Sequence, residues 1–371
     1  MKDDTHGMVT DRLAFTKTQT NVLKGVAILM MMWHHCFLSG RYQGYDISFF
    51  PLGESRVTTI AAFCKICVTV FAFISGYGLY LSYQQDGERL STPRWMGRRL
   101  VKVLSGYWVI FVAAMVVCMA IDRSPMEFYF SQGRYGGLVK VLLDFFGLSN
   151  LFGTSNFCYT WWYMSAAVMF VVLAPLCFAG MKKYGDIAVM LVLVALPRLV
   201  GEGFPGTEHF YSFLPAFCIG GMFARHKSFD AFHNLRVGNH PRLSGVLKFA
   251  ALVVLCGLAY KLSTHTRVNT YWELNYAIYP IPIILFTVEY LAKVPGLKQV
   301  LFFLGKHSAN IFMIHTFIRS TYGADLVYGQ SHFITVMAVL LVSALLLSMV
   351  VELVKKAVHY DAWISRLVAR I

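Results

Sequence analysis

The chain has 371 residues, of which 57% are hydrophobic and only 14% charged, with a mean hydropathy of +0.56. That leaves too little polar surface to clothe a soluble domain of this size, so a lipid bilayer must replace part of the solvent. A net charge of +14 would suggest nucleic acid in a soluble chain. Here the basic residues sit between apolar stretches, the pattern that membrane orientation produces, and nucleic-acid binding is set aside.

The opening MKDDTHGMVTDRLAFTKTQT is polar, carries both charge signs and has no small-residue cleavage site before Asn21, so the first apolar stretch is expected to be retained. A crossing helix needs about 20 apolar residues. Ten stretches are read as spans, centred in 21–39, 58–83, 103–121, 160–180, 185–200, 209–224, 245–263, 274–292, 300–320 and 333–354. LVKVLLDFFGLSNLFG, from Leu138, carries Lys140 and Asp144 and reads as an interfacial helix. The prediction is therefore an all-α polytopic membrane protein with about ten transmembrane helices. Its parts are an N-terminal segment 1–20, a membrane domain 21–354 and a tail 355–371.

Lysine and arginine asymmetry orients these spans. With ten spans, one side holds Lys2, Arg12, Lys17, Arg89 through Lys102, Lys182, Lys183, Arg225 through Lys248, Lys293, Lys298 and Lys355 through Arg370. The other holds only Arg41, Arg56, Arg123, Arg134, Lys140, Arg198, Lys261, Arg267 and Arg319. Both termini are expected in the cytoplasm. The eight cysteines are scattered, and Cys64 and Cys67 of CKIC lack a second pair or a nearby histidine, so packing is the reading and no metal is expected.

Three stretches carry possible chemistry. In NVLKGVAILMMMWHHCFLSG, Lys24 and His35 are eleven residues apart, which at about 100° per residue returns them to nearly one face, roughly 16 Å apart along the axis. Ionisable groups in a spanning helix need a partner, a wet cavity or a function. His34 points to another face, where it packs or orients its neighbour. In TPRWMGRRLVKVLSGYW, Arg98 and Lys102 are at i, i+4 and Arg99 and Lys102 at i, i+3, so a helix here would present a cationic cluster suited to phosphates. In LGKHSANIFMIHTF, His315 lies as far into its helix as His35 does into the first, so the two imidazoles would line one site if those helices are neighbours. Each has a plainer alternative: Lys24 as a snorkelling anchor, His35 and His315 as satisfied helix-contact residues, and the basic run as a positive-inside anchor.

Taken in order, these stretches resemble the acyltransferase 3 family of membrane acyltransferases. NVLKGVAILMMMWHH resembles its first-helix signature, a basic residue, ten residues and then histidine, falling on Lys24 and His35. VFAFISGYGLYLSY from Val70 is similar to its second-helix segment, and RRLVKVLSGYW to its Arg-x-x-Arg element, with Arg99 and Lys102 before Tyr107 and Trp108. TWWYMSAAVMFVVLAPL, FLPAFCIGGMFAR and LGKHSANIFMIHTF resemble the later helices. Lys102 stands where a second arginine is usual, and Ser105 where proline is usual. The hydrolase-like domain that some members append is not expected.

The resemblance implies a multi-pass protein of a bacterial cytoplasmic membrane. Its reaction would move an acyl group, acetyl by default and succinyl as an option, from cytoplasmic acyl-CoA to a hydroxyl of an envelope polysaccharide or glycolipid. Lys24, Arg98, Arg99 and Lys102 would hold the CoA phosphates. His35 would act as general base or acyl carrier, and His34, Ser75, Tyr77, Trp162 and His315 would line the site. The loops Arg41–Val57 and Asp122–Tyr159 would shape acceptor entry. A transporter or flippase using the same residues without chemistry is the competing reading, and the oligomeric state is open.

Overall fold

The computed structural model describes residues 15–87, 90–130, 136–200, 208–238, 240–264 and 272–371. Lys2, Arg12, Arg89, Arg134, Arg267 and most of the N-terminal segment 1–20 lie outside these residues. The described elements are helical apart from one isolated bridge between Ser48 and His332. The first half comprises α1 (Lys17–Phe37), α2 (Glu54–Phe63), α3 (Cys67–Ser82), α4 (Thr92–Ile121), α5 (Ser124–Phe130), α6 (Gly137–Phe145) and α7 (Trp162–Tyr184). There follow α8 (Asp186–Val200), α9 (Leu214–Arg225), α10 (Ser228–Asn234), α11 (Pro241–Ser263), α12 (Trp272–Ile278) and α13 (Pro280–Glu289). The chain ends with α14 (Leu297–Thr316), α15 (Ala324–Tyr328), α16 (Phe333–Ala357) and α17 (Tyr360–Arg370).

Among the described residues five helices, not ten, are long and apolar enough to cross a membrane: Glu54–Gly87, which joins α2 and α3, then Thr92–Ile121, Tyr159–Tyr184, Pro241–Ser263 and Phe333–Ala357. The other five expected spans fail for two physical reasons. Length removes three: α8 has 15 residues and α9 12, while the stretch 274–292 breaks between α12 and the 10-residue α13 at Pro280, where proline lacks the donor that would continue the ladder. Polarity removes α1, with Lys17, Gln19, Asn21, Lys24, His34 and His35, and α14, with Lys298, Lys306, His307, Ser308, Asn310 and His315. The cytoplasmic placement of both termini rested on the count of ten and loses its basis with it. The structure shows instead that α17 packs on the first half of α4, where the Tyr360 hydroxyl donates to the Ser105 carbonyl at 2.9 Å.

The polar helices α1 and α14 form the centre. A side chain at Gly25 would collide with the Leu301 backbone, and one at Gly305 with the Asn21 carbonyl, so glycine lets these two backbones touch, as small residues do in membrane helix pairs. The helices run parallel, because Gly25 lies beside Leu301 while His35 lies beside His315. A second glycine contact joins α3 to α9, where Gly76 meets Phe217 and Gly220 meets Phe73. The most apolar span, α16, forms part of the wall: it buries Phe333, Val336, Leu340 and Ala344 and exposes Leu346, Leu347, Val350 and Leu353.

Candidate active site

One cavity of about 800 Å³ runs between α1, α3, α4, α7 and α14. At one end it is bordered by Lys17, Thr20, Lys24, Arg99 and Lys102, and at the other by His34, His35, Lys65, Thr160 and Glu208. Between these ends the lining is apolar and partly small, with Ser75, Gly78, Gly106 and Ala167 beside Phe71, Val103 and Phe312. A Cβ at Gly78 or Gly106 would meet nothing within 4 Å, so the two glycines leave a slot open along the helix faces. Lys24 and His35 border the same cavity, because their spacing returns both to one face of α1.

The cationic end is not empty of anions. Arg99 donates from Nη2 to Asp86 Oδ2 at 3.2 Å, with both side chains partly exposed. Lys102, one turn later on α4, is exposed. Arg98 does not border the cavity, and its Nε is buried without a partner. Adjacent residues on a helix differ by about 100°, so α4 can present Arg99 with Lys102 but not Arg98 with them.

At the other end the ring of His35 lies 4.9 Å from that of His315 and 5.0 Å from that of His34, centroid to centroid. His34 Nδ1 donates to the Ala61 carbonyl at 2.8 Å, and His315 Nδ1 donates to the Phe312 carbonyl at 2.7 Å. A carbonyl only accepts, so Nδ1 of each of these rings carries a proton. His315 Nε2 accepts from Thr316 Oγ1 at 3.3 Å, and Thr316 Oγ1 lies 3.1 Å from Thr160 Oγ1. His315 is fully buried behind His35 and does not itself border the cavity. Among the described residues neither ring nitrogen of His35 has a hydrogen-bond partner, and no carboxylate bonds it. Both nitrogens are available to a substrate. Ser75, Tyr77 and Trp162 border the cavity, with the Ser75 hydroxyl donating to the Phe71 carbonyl at 2.9 Å.

Two residues escaped the sequence reading. Arg319, counted only among the outer-side charges, is fully buried one turn beyond His315. The spacing His315 to Arg319, four residues within a helical run, was the available signal. Asp144, read only as a mark of an interfacial helix, is also fully buried. Its carboxylate accepts from Tyr107 at 3.0 Å, Tyr129 at 2.6 Å, Asn156 at 2.8 Å and the Phe157 N–H at 2.8 Å. Burial pushes the Asp144 carboxyl above the usual carboxylate range against the pull of these four donors, and burial with the adjacent carboxylate pushes the Tyr129 phenol up. This knot ties α4, α5 and α6 to the segment leading into Trp161, whose indole donates to the Met313 carbonyl of α14 at 3.0 Å. The loop Arg41–Val57 is pinned by Tyr42 donating to Glu54 at 2.9 Å and Tyr45 to Asp325 at 2.6 Å.

All eight cysteines, Cys64 and Cys67 included, are free. Among the described residues no group of three or more His, Cys, Asp or Glu side chains is arranged to hold a metal ion.

A multi-pass helical bundle with one cavity bordered by Lys24, Arg99 and Lys102 at one end and by His34 and His35 at the other defines a membrane enzyme class rather than one reaction. The family model described as an acyltransferase domain matches residues 18–353, and the chain belongs to that family. It is a multi-pass membrane acyltransferase. No curated protein and no solved structure matches it.

Proposed function

We propose that the enzyme takes an acyl group, acetyl in the simplest case, from cytoplasmic acyl-CoA and transfers it to a hydroxyl of an extracytoplasmic acceptor, a surface polysaccharide or glycolipid. The observation that carries this reading is that a single cavity holds Lys24, Arg99 and Lys102 at one end and His35 at the other. Phosphates of the donor pair with the cationic end, where Arg99 offers a planar fork and the lysines act as point charges. The pantetheine arm lies along the slot beside Gly78 and Gly106. The distance from Lys24 to His35, about 16 Å along α1 by helical rise, is of the order of that arm.

His35 then acts as general base. Its free ring nitrogen takes the proton of the acceptor hydroxyl as the oxygen attacks the thioester carbon, and returns it to the departing CoA thiolate. His315 sits behind the ring and His34 beside it, both anchored through Nδ1 to backbone carbonyls, so they hold the orientation of His35 rather than compete for the proton. Aromatic residues in the loops Arg41–Val57 and Asp122–Tyr159 offer stacking faces to a sugar acceptor.

Purified protein supplied with radiolabelled acetyl-CoA and succinyl-CoA, with envelope glycan or glycolipid fractions as acceptors, tests this reading. His35→Ala is expected to lower transfer by about 10²- to 10⁴-fold, the range for losing a general base. Undiminished transfer by that variant removes His35 from the mechanism.

A further inference from the structure

Arg319 is fully buried, and among the described residues no carboxylate lies within ion-pair distance of it. Its partners are all neutral hydroxyls. Nη1 donates to Ser39 Oγ at 3.0 Å and to the Tyr328 hydroxyl at 3.3 Å, Nη2 donates to the Tyr159 hydroxyl, and Nε has no partner. A buried cation held without a counter-anion is costly, and in membrane proteins such a residue marks function by default. Every element of this cluster adjoins His35. Ser39 lies just past the C-terminal end of α1 and donates to the His35 carbonyl at 3.5 Å, and Tyr328 donates to the Cys36 carbonyl at 3.2 Å.

Tyr159 differs from the other two hydroxyls. Its oxygen accepts from Arg319, and among the described residues nothing accepts its proton. Its side chain is 44% exposed, and its ring centroid lies 6.5 Å from that of His35 with the planes at 73°. The residue that follows, Thr160, borders the cavity. A fixed donor with a free proton, backed by a buried positive charge and set beside the proposed base, is the arrangement that stabilises negative charge developing on an acyl oxygen.

We propose that Tyr159 is the oxyanion donor of the acyl transfer and that Arg319 is the positioning residue that holds it; this rests on the reaction proposed above. As the acceptor oxygen bonds to the thioester carbon, its proton passes to His35 and the carbonyl π pair moves onto the acyl oxygen. Tyr159 O–H donates to that oxyanion. Collapse restores the carbonyl, breaks the carbon–sulfur bond, and the CoA thiolate takes the proton from His35. The products are the acyl ester and free CoA thiol, with no oxidant or further reactant.

The test compares Tyr159→Phe, Arg319→Gln and Arg319→Lys with wild type for kcat, KM for acetyl-CoA and thermal midpoint in the same detergent. Tyr159→Phe is expected to lower kcat about 10²-fold or more, with KM and thermal midpoint unchanged. Arg319→Gln follows it, Arg319→Lys recovers part of the rate, and the double variant Tyr159→Phe/Arg319→Gln is no slower than the worse single. A wild-type kcat in Tyr159→Phe overturns the assignment, as does a loss that appears only with a raised KM and a lowered midpoint. Should wild type transfer no acyl group from either thioester, the proposed reaction falls and this donor with it. Wild-type transfer beside an unimpaired Tyr159→Phe removes the donor alone.

Discussion

Helices α14 and α16 pack against each other and are of similar length, 20 and 25 residues, yet only α16 qualifies as a membrane span. The difference is where each turns its side chains. On α14, His307, Ser308, Asn310 and His315 are buried in protein, while on α16 a face of Leu346, Val350 and Leu353 is exposed. Two polar groups on α16 answer α14: Ser348 Oγ lies 2.8 Å from His307 Nδ1, and Asn310 Nδ2 donates to Glu352 Oε1 at 2.8 Å. Hydropathy therefore finds α16 and passes over α14 beside it, although α3, α4 and α7, which border the same cavity as α1 and α14, lie in spans that it does find.

That contrast can be broken at three places. The largest effect is expected at the glycine seam, where Gly305→Leu drives a side chain into the Asn21 carbonyl and forces α1 and α14 apart. Its cost is about 3 kcal/mol or more by the behaviour of overpacked sites, visible as a lower thermal midpoint and loss of transfer together. Ser348→Ala is expected to cost about 1 kcal/mol, since it strips His307, only 7% exposed, of its hydroxyl partner. The smallest effect belongs to the wall. Leu346→Ala, at a side chain 57% exposed, exchanges one lipid contact for another and should shift stability by less than about 0.5 kcal/mol. A Leu346 effect as large as that at Ser348 would show that α16 is covered by protein on that face.

The same contrast explains what could be read from the sequence. The five apolar spans were legible because twenty-odd apolar residues leave no other solvent for them. The helical return of Lys24 and His35 to one face was legible because 3.6-residue periodicity needs no neighbour. The remaining errors came from residues whose environment is tertiary. Whether Arg98 or Arg99 faces the cavity depends on how α4 is rotated against α1 and α7, and no local pattern encodes that rotation. Arg319 at the end of an expected span and Asp144 in an expected interfacial helix look like boundary charges, and only the assembled fold surrounds Arg319 with hydroxyls and Asp144 with hydroxyl, amide and N–H donors. Counting α1 and α14 as ordinary spans treated their polar residues as exceptions, whereas those residues are the reason both helices are interior.

The ion pair between Arg99 and Asp86 has a consequence for turnover in the reaction proposed above. In that reaction a donor phosphate that pairs with Arg99 displaces the carboxylate already there, while Lys24 and Lys102 meet it without such an exchange. Capture at Arg99 would thus be an exchange of anions, with a net gain equal to the difference between two pairings of similar kind rather than the whole strength of one. The same carboxylate is waiting when the spent carrier must leave. An anchor built as a swap gives up tight binding in return for quick release, which suits a site that must be emptied after every cycle.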